Sequence, residues 1–583
     1  MLKQNSKLFF MPVNLIIILL FLIHPVHAEQ DILLYNSTPT YEEIIKTYSD
    51  LAQSSPYARL VPCGKTDGGH SMQLFVISKT KIFEVQKLKD MGVLILLINN
   101  GIHPGEPDGI NASILLAESL LANNGQDLPQ NVCICIVPVM NVEGAINRAC
   151  CSRVNQAGPP EYGFRSNDLY LDLNRDFIKS DSKNMISWIG LFRQWDPEVL
   201  IDTHVSDGAD YQYTMTLISS QADKLYPTQG KYMKDVLTPS LFTKMKEKDE
   251  EMGPYVETFS WELPPDSGMM AFLETPRFGS GYAALFNTFG FISEAHMLKP
   301  FSDRVKATEK LLHSLVEICE EKHVEISKVK RMARDENISR NLFPLNWKLD
   351  ESKFDLIQFK GYEHAYKKSE VTGLDRLYYD RTKSFNKQLP YYSYYIPQDT
   401  IHAPKYYLIP QAWEKVVNLF RNNKITLIEI EQDSSCSAEV YYIDKFNTAD
   451  MPYEGHYIHS NTTVKTRIEN VQVKRGDFLV PIMQPGSRYI VETLEPVSVD
   501  SYFNWGFFDG VLQQKEWFSA YVFEEIAEKI LMENNTLKME LDSMKKSDPA
   551  FASNSFSQLY FIYKNSKYFE KGYRRYPVSR IMQ

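Results

Sequence analysis

Three residues of this sequence have the types and the spacing of a metal site. His103 and Glu106 lie three positions apart in the segment His-Pro-Gly-Glu, and His204 follows an apolar run much later in the chain. Two imidazoles and one carboxylate leave the fourth position of a tetrahedral Zn²⁺ ion open, which is typical of catalytic sites, whereas structural zinc sites are closed and usually rich in cysteine. No cysteine adjoins any of the three residues. The pattern therefore indicates a zinc hydrolase.

A histidine and a glutamate at this spacing also occur by chance, and a histidine beside an apolar run is often a core residue. The surrounding segments argue for a site. Residues 91–99, 132–139 and 198–202 are largely apolar runs of strand length with polar residues at or shortly after their ends, as expected of strands buried in a parallel sheet. Ligands of open α/β sheets bind at the carboxyl ends of the strands. The sequence therefore predicts an α/β fold with His103 and His204 at one edge of the sheet.

Five segments, in their order along the chain, resemble the zinc carboxypeptidases of the carboxypeptidase A type, the M14 metallopeptidases. They are NNGIHPGEPDG, PVMNVEGAINR, LYLDLNRDF, LIDTHVSDGADYQYT and FISEAHMLKP, and together they span about a third of the chain, residues 90–305. The resemblance implies a carboxypeptidase-like fold, with a mixed, mostly parallel sheet and helices on both faces. It also implies one Zn²⁺ per chain, held by His103, Glu106 and His204.

Peptide hydrolysis at zinc needs a base that takes a proton from the attacking water and passes it to the leaving amine. Glu294, at the end of the apolar segment 289–294, matches the catalytic glutamate of the family. Partial burial at the end of a strand would raise its pKa toward the working range. The structural alternative is an ion pair between this carboxylate and Lys299 or Arg304.

The resemblance implies further roles for arginines between the two histidines. Arg153 corresponds to the arginine that stabilises the oxyanion, although Arg148 and Arg165 flank it and a surface arginine is the alternative. Asn174 and Arg175 match the pair that binds the terminal carboxylate of the substrate, a contact that suits a planar guanidinium. The presence of Arg175 therefore indicates an exopeptidase.

Two more residues are assigned by resemblance. Asp172 matches the aspartate that orients the first zinc-binding histidine, and the alternation Leu-Asp-Leu-Asn predicts a short strand that brings Asp172 and Asn174 to one side. Tyr282, in a glycine-rich segment, corresponds to the mobile tyrosine that lies over the bound substrate. Arg277 is another candidate for that substrate contact.

The first residues have the pattern of a secretory signal peptide. Lys3 and Lys7 precede the apolar segment 8–23, and Val-His-Ala at 26–28 is a small-residue cleavage site. The alternative is that this apolar segment is retained as a membrane anchor. No later segment has the length of a membrane span. We therefore expect an exported protein, periplasmic or extracellular, without a stable membrane span after cleavage.

Composition excludes some classes of protein. The formal net charge is −10 and basic runs are lacking, which does not suit a nucleic-acid-binding protein. Seven cysteines in 583 residues are too few for a disulfide framework. Cys133 and Cys135 share one face of a predicted strand, and we expect them to be buried thiols.

The length of the chain predicts more than one domain. After the signal peptide, residues 1–28, a catalytic domain of residues 29–330 would close with a helix at 304–322. A β-rich accessory domain, residues 345–535, and a C-terminal tail, residues 536–583, would follow.

The predicted function is that of a zinc metallocarboxypeptidase that hydrolyses the C-terminal bond of peptides or proteins. Two alternatives remain open. One is an amidohydrolase of the same fold that acts on peptidoglycan stem peptides or N-acyl amino acids. The other is a catalytically silent carboxypeptidase-like binding protein, although such a protein would have no chemical need for the complete set of His103, Glu106, His204 and Glu294.

Overall fold

The computed structural model describes residues 34–260 and 263–582, so the predicted signal peptide lies outside the described part of the chain. No helix among these residues combines the length and the apolar composition needed to cross a membrane. The chain forms two compact units. The first comprises the described residues up to Ala403 together with Asn418–Thr426 and Ile482–Glu492.

The first unit is built around a mixed sheet. Its strands are β1 (Ala58–Lys65), β2 (Ser71–Ile77), β3 (Leu94–Asn99), β4 (Val132–Val137), β5 (Val199–Ser206), β6 (Met215–Ser219), β7 (Gly253–Pro254), β8 (Met269–Met270), β9 (Phe289–His296), β10 (Leu342–Leu349), β11 (Asp355–Lys368), β12 (Asp375–Tyr392) and β13 (Tyr395–His402). Eight of these form the main sheet in the order β1-β2-β4-β3-β5-β9-β6-β7. Its central strands β4, β3, β5 and β9 run parallel, and antiparallel pairs lie toward both edges. The predicted α/β class is confirmed.

Helices cover both faces of this sheet. Alternate residues of β3, beginning at Leu94, lie in one core with the helices Asp108–Gly125 and Phe301–Ser339. On the opposite face the indole of Trp188 donates a hydrogen bond to Asn99 Oδ1 (3.0 Å), because successive side chains of a strand point to opposite sides. The helices of this unit are Tyr41–Ser54, Val85–Asp90, Asp108–Gly125, Val142–Ile146, Lys183–Trp195, Pro227–Tyr232, Met233–Leu237 (a π-helix), Thr238–Glu247, Gly279–Ala284 and Phe301–Ser339, and Glu414–Asn422 and Ser487–Leu494 are each divided between the units.

The helix Phe301–Ser339 is longer than predicted. The sequence pattern predicts that this helix ends at residue 322, and the backbone of Lys322 does depart from helical angles (φ −119°, ψ 15°). Beyond that residue Ile326 and Ala333 are buried while most of the charged residues around them face outward, so the helix continues as an amphipathic one. The first unit therefore does not end at residue 330.

The predicted accessory domain is divided between the two units. Its first part, residues 345–403, belongs to the first unit, where the hairpin β11–β12 binds the loop after β5. Gln212 Nε2 donates to the Gly361 carbonyl (2.8 Å), and Phe359 packs in an apolar cluster with Tyr211. Strands rich in tyrosine and lysine gave no indication of this partner, because the partner is a loop far away in sequence.

The second unit comprises Pro404–Val417, Leu427–Pro481 and Thr493–Gln583. Its sheet has the order β15-β18-β14-β19-β16-β17, formed by β14 (Tyr406–Ile409), β15 (Ile428–Glu429), β16 (Ser434–Thr448), β17 (His459–Val473), β18 (Phe478–Pro481) and β19 (Arg575–Ile581). Its helices are Ala520–Glu533, Asn535–Ser547, Pro549–Ala552 and Ser555–Lys564. The predicted tail is thus part of a folded unit, since β19 pairs with both β14 and β16.

Candidate active site

The three predicted zinc ligands lie together at the carboxyl edge of the parallel strands. His103 and Glu106 occupy the loop after β3, and His204 lies in β5, the parallel neighbour of β3. One ligand atom from each residue lies within 4.8 Å of the other two. Glu106 Oε1 is 3.3 Å from His103 Nδ1, and Oε2 is 3.1 Å from His204 Nδ1. All three side chains are buried.

The contacts of the two imidazoles turn one nitrogen of each toward Glu106. His103 Nε2 is hydrogen bonded to Asp172 Oδ1 (2.8 Å), and its buried Nδ1 has no hydrogen-bond partner among the described residues. His204 Nε2 lies 3.2 Å from Asp202 Oδ2, so Nδ1 is the atom near Glu106. Two imidazole nitrogens and one carboxylate are a donor set of catalytic zinc, and a carboxylate behind a ligating histidine fixes its orientation. The residues present fit a Zn²⁺ ion.

The charges around His103, Glu106 and His204, which we call the triad, shift the pKa values of its members in different directions. Burial alone would raise the pKa of Glu106, but His103 and Arg153 hold this pKa well below its ordinary value. Burial would lower the pKa of His204, but Asp202 and Glu106 raise it well above the ordinary value. A proton and a metal cation therefore compete for His204, whereas Glu106 is ionised and ready to bind a cation.

Asp172 caps a short 3₁₀ turn, Leu173–Arg175, and does not lie in a strand as the sequence alternation predicted. Its Oδ1 accepts a hydrogen bond from the Asn174 backbone N–H (2.9 Å) in addition to the contact with His103. Its Oδ2 accepts one from Arg165 Nε (3.0 Å). Burial opposes its ionisation, but His103 and Arg165 hold the pKa of Asp172 well below its ordinary value. Asp172 is thus a fixed anion behind His103.

A cavity of about 260 Å³, which we call the active-site cavity, is lined by the triad and by most of the other predicted site residues. Glu294, Arg153, Asn174 and Arg175 all belong to its walls. Arg165, Ser206 and Asp207 also line it, and its apolar wall is formed by Val205, Ile218, Tyr255, Phe272, Phe278 and Ile292. One space therefore contains a candidate metal centre, a base, cations and an apolar surface.

Glu294 lies in β9 directly opposite His204 in β5. Burial raises the pKa of Glu294 to about 8; the positive charge of His204 opposes this shift and the negative charge of Glu106 adds to it. A carboxyl group in this range can both accept and return a proton near neutral pH.

The cations that the sequence offered as partners of Glu294 bond to other groups. Lys299 Nζ donates to the Tyr211 carbonyl (2.5 Å), and Arg304 Nε donates to Asp108 Oδ1 (2.8 Å). The structural alternative for Glu294, a simple ion pair with one of these two residues, is not what the structure contains.

Arg153 and Arg165 both contact the carboxylate of Glu106. Their Nη1 atoms lie 2.7 Å and 3.3 Å from Glu106 Oε1, and Arg153 Nη2 also donates to the Val205 carbonyl (3.1 Å). Arg165 additionally pairs with Asp172 (2.8 Å). In the sequence, Arg165 stands out only as a neighbour of Arg153. No motif marks it, and its importance follows from a loop that folds back over the triad.

Arg175 lies over the Phe278 ring of the apolar wall. Its guanidinium carbon is 4.5 Å from the centre of the Phe278 ring, and Nη1 donates to the Asn174 carbonyl (2.9 Å). The Asn174 side chain accepts a hydrogen bond from Gly279 N (3.4 Å), which joins this turn to the segment after Phe278. A planar guanidinium held over an aromatic ring can still offer its fork of N–H groups, which suits a bidentate contact with a carboxylate.

Tyr282 does not reach the active-site cavity. It lies in the helix Gly279–Ala284 with no exposed surface, packs among aromatic rings such as Trp188, and donates a hydrogen bond to Asn423 Oδ1. This burial is incompatible with the predicted mobile contact over a substrate. Tyr255, which no sequence motif marked, lines the cavity instead, and burial together with the charge of Glu294 raises its pKa.

Comparison with known proteins agrees with this geometry. The sequence model of the zinc carboxypeptidase family, the M14 peptidases, matches residues 44–227, a range that includes His103, Glu106 and His204. Carboxypeptidase 2 of Trichophyton tonsurans is 22% identical over 497 residues, which are 81% of this chain and 84% of that protein. Carboxypeptidase 2 of Trichophyton rubrum is 22% identical over 434 residues, which are 70% of this chain and 73% of that protein.

Solved structures of carboxypeptidases are also similar to part of the chain. A metallo-carboxypeptidase from Burkholderia cenocepacia is 16% identical with a TM-score of 0.37, over 50% of this chain and 70% of that one. Carboxypeptidase A from Helicoverpa armigera is 16% identical with a TM-score of 0.35, over 51% of this chain and 75% of that one. The family model thus matches the part of the chain that contains His103, Glu106 and His204, and residues 44–227 are similar to the zinc carboxypeptidases of the M14 family.

Proposed function

We propose that this metallocarboxypeptidase removes single residues from the C-termini of peptides, with one Zn²⁺ ion held by His103, Glu106 and His204. The observation that carries the proposal is that these ligands, a carboxyl group with a raised pKa and an arginine stacked for carboxylate binding line one cavity. Zinc bound there would polarise a peptide carbonyl and lower the pKa of a water molecule.

Glu294 is the proposed base. Its carboxylate takes a proton from the attacking water and returns that proton to the leaving amine. The pKa near 8 that burial gives this group supports the second half of the cycle, because a strongly acidic carboxyl group would hold the proton too weakly to protonate an amine. Its position opposite His204 on the neighbouring strand keeps it beside the metal ligands.

Arg175 and Asn174 are the proposed anchors of the substrate carboxylate. A substrate with a free C-terminus places its carboxylate against the guanidinium that Phe278 supports, and the bond before the last residue then extends toward the triad. A peptide whose C-terminal carboxylate is blocked loses this charge-assisted contact. The anchor is the reason to propose an exopeptidase.

Arg153 and Arg165 are the proposed sources of positive charge for the oxyanion that forms as water adds to the carbonyl. Both guanidinium groups line the cavity beside Glu106. Fixed cations in a site with little water stabilise a developing negative charge more than they stabilise the neutral carbonyl, and so they lower the barrier.

Export is proposed from the N-terminal pattern of Lys3, Lys7 and the apolar segment 8–23. If the signal is cleaved after Ala28, the mature protein recovered from the medium or the periplasm begins at Glu29, and N-terminal sequencing measures this directly. Recovery of the uncleaved chain in the membrane fraction would support the anchor instead.

The activity is tested with the full chain by measuring bound zinc and the hydrolysis of N-acylated dipeptides that differ only in a free or amidated C-terminus. In Glu294→Gln we expect zinc to remain bound and kcat to fall about 1,000-fold. Glu257→Gln is the matched control, because burial also raises the pKa of Glu257 but this residue does not line the cavity.

The other possible outcomes contradict either the role of Glu294 or the proposed class of enzyme. If the Glu294→Gln variant retains zinc and its kcat equals that of the wild type, Glu294 is not the base. A wild-type enzyme that cleaves muropeptides or N-acyl amino acids but not dipeptides is an amidohydrolase of the same fold. A wild-type protein that binds no zinc and cleaves nothing is a binding protein.

A further inference from the structure

Arg304 lies in the first turn of the helix Phe301–Ser339, and its side chain is fully buried. The guanidinium lies within hydrogen-bond distance of five acceptors, three of which share the two N–H groups of Nη1. Nε donates to Asp108 Oδ1 (2.8 Å). The other donors bind backbone carbonyl groups, namely those of Ala157 (3.1 Å), Gly158 (2.8 Å), Met297 (3.3 Å) and Lys299 (2.8 Å).

These acceptors belong to three segments that each carry a residue of the proposed mechanism. Asp108 follows the zinc ligand Glu106 by two positions. The carbonyl groups at 157 and 158 belong to the loop of Arg153, and those at 297 and 299 follow Glu294 at the end of β9. The Arg304 side chain therefore joins three segments: the loop of the proposed zinc ligand Glu106, the loop of Arg153 and the strand that carries Glu294.

The segments are also bonded to one another at this point. Ala157 N donates to the Met297 carbonyl (2.8 Å), and Met297 N donates to the carbonyl of Ser206 (3.1 Å), two residues after His204. A displacement of Arg304 would therefore be transmitted to the strand of the second histidine as well.

We infer that Arg304 is a positioning residue for the hydrolysis: it fixes the distances between the zinc-ligand loop, the Arg153 loop and the Glu294 strand without contacting the substrate. The inference rests on the proposed function. Arg304 does not line the active-site cavity, so its effect is exerted through the groups that do.

The chemistry of the guanidinium explains why an arginine occupies this position. It offers five N–H donors in one rigid plane, whereas a lysine ammonium offers three donors on a flexible stem. A buried ion pair such as that with Asp108 is in general no more stabilising than apolar packing, so stability alone does not account for it. Geometry at the reacting groups does, because small misplacements cost large factors in rate.

The same helix provides a matched control. Lys330 is also buried, and its Nζ donates to Asp196 Oδ1 (2.8 Å) and to the carbonyl groups of Asp196 (2.9 Å) and Pro197 (2.5 Å). These acceptors precede β5, at the amino edge of the sheet, opposite to the edge that bears the site. Lys330 thus joins the same helix to the same sheet, away from the catalytic groups.

The test compares Arg304→Lys with Lys330→Met in the full-length zinc protein. For Arg304→Lys we expect kcat to fall about 10- to 100-fold while KM changes little and one zinc per chain is retained. For Lys330→Met we expect a lower thermal unfolding midpoint with wild-type kcat. Wild-type kcat in a folded Arg304→Lys protein, or an equal loss of kcat in both variants at equal loss of stability, overturns the inference.

A second variant and a second readout cover the remaining cases. If Arg304→Lys does not fold, Asp108→Asn removes one partner of the pair while keeping its shape, and wild-type kcat in that variant also overturns the inference. The visible absorption spectrum of the Co²⁺-substituted protein reports the ligand geometry without turnover, and it should change in Arg304→Lys but not in Lys330→Met. Failure of the proposed function is seen separately, as absence of hydrolysis by the wild type.

Discussion

His204 in β5 and Glu294 in β9 are directly paired residues of two adjacent parallel strands. The proposed metal ligand His204 and the proposed proton acceptor Glu294 are thereby fixed by the same hydrogen-bond ladder. The sheet, and not a flexible loop, sets the distance between them, which gives the pair the rigidity that transition-state stabilisation requires.

The pH profile is expected to rise with the ionisation of Glu294. Only the carboxylate can accept a proton from water, so activity is lost as the pH falls through this pKa. Burial places the pKa at about 8 without a metal, and a bound cation favours the charged form, so the rising limb of kcat/KM should lie below pH 8 in the zinc enzyme. The pKa of Glu294 in the metal-free protein is measured by difference infrared titration of the wild type against Glu294→Gln. If the rising limb of kcat/KM is unchanged in Glu294→Gln, that limb belongs to another group.

Removal of the carboxylate anchor should affect only substrates that have a free C-terminus. For Arg175→Ala we expect kcat/KM on a free dipeptide to fall about 30-fold, because a hydrogen-bonded charge pair is worth about 2 kcal/mol. On the amidated analogue the variant and the wild type should act at the same low rate. Equal losses on both substrates would indicate that Arg175→Ala disturbs the 3₁₀ turn instead.

Asp172→Asn should weaken zinc binding. The carboxylate holds His103 through Nε2, and loss of such an outer partner lowers metal affinity about 10- to 100-fold. Competition with a chelator measures the affinity, and Asp181→Asn is the control, because Asp181 pairs with Lys179 and does not line the cavity. Unchanged affinity in Asp172→Asn would limit its role to the pairing with Arg165.

The clustering of the candidate metal ligands His103, Glu106 and His204 could be predicted from sequence because it depends on local patterns. Strand β3 is an apolar run that ends in Asn99, and β5 begins with the apolar run Val199–Ile201 and becomes polar toward its carboxyl end, so His103 and His204 were expected at one edge if the strands were parallel. The thiols of Cys133 and Cys135 are buried in β4, as the same reasoning predicted.

What could not be predicted depends on contacts between distant segments. Arg165 reaches Glu106 because a loop folds over the triad, and no spacing in the sequence encodes that fold. The hairpin β11–β12 resembles any exposed ribbon in sequence, yet it packs on the loop after β5. β19 consists of the last residues of the chain, and its pairing with β14 and β16 is set by strands more than 100 residues earlier.

The apolar wall predicts which residue the enzyme removes. Ile218 and Ile292 face the cavity beside Phe272, and Ile218 and Phe272 also border a second cavity of about 460 Å³. A charged side chain pressed against Ile218, Ile292 and Phe272 would lose its hydration and gain no hydrogen-bond partner from these three side chains, which costs several kcal/mol. We expect C-terminal phenylalanine or leucine to be preferred over arginine by about 100-fold in kcat/KM, and Ile218→Asp to reverse the order for arginine. Equal rates for phenylalanine and arginine in the wild type would show that the side chain points away from this wall.

The buried position of Tyr282 predicts that its hydroxyl supports stability and not catalysis. In Tyr282→Phe, Asn423 loses one buried hydrogen bond but keeps the one that its Nδ2 donates to the Tyr489 hydroxyl, so the free energy of unfolding should fall by about 1 kcal/mol. kcat and KM should remain at wild-type values, because the ring still fills its place beside Trp188. Tyr255→Phe is the complementary variant: Tyr255 lines the cavity near Glu294, so kcat/KM should fall there while the unfolding free energy changes little. The reverse result, a loss of kcat in Tyr282→Phe alone, would mean that this helix moves into the cavity during turnover.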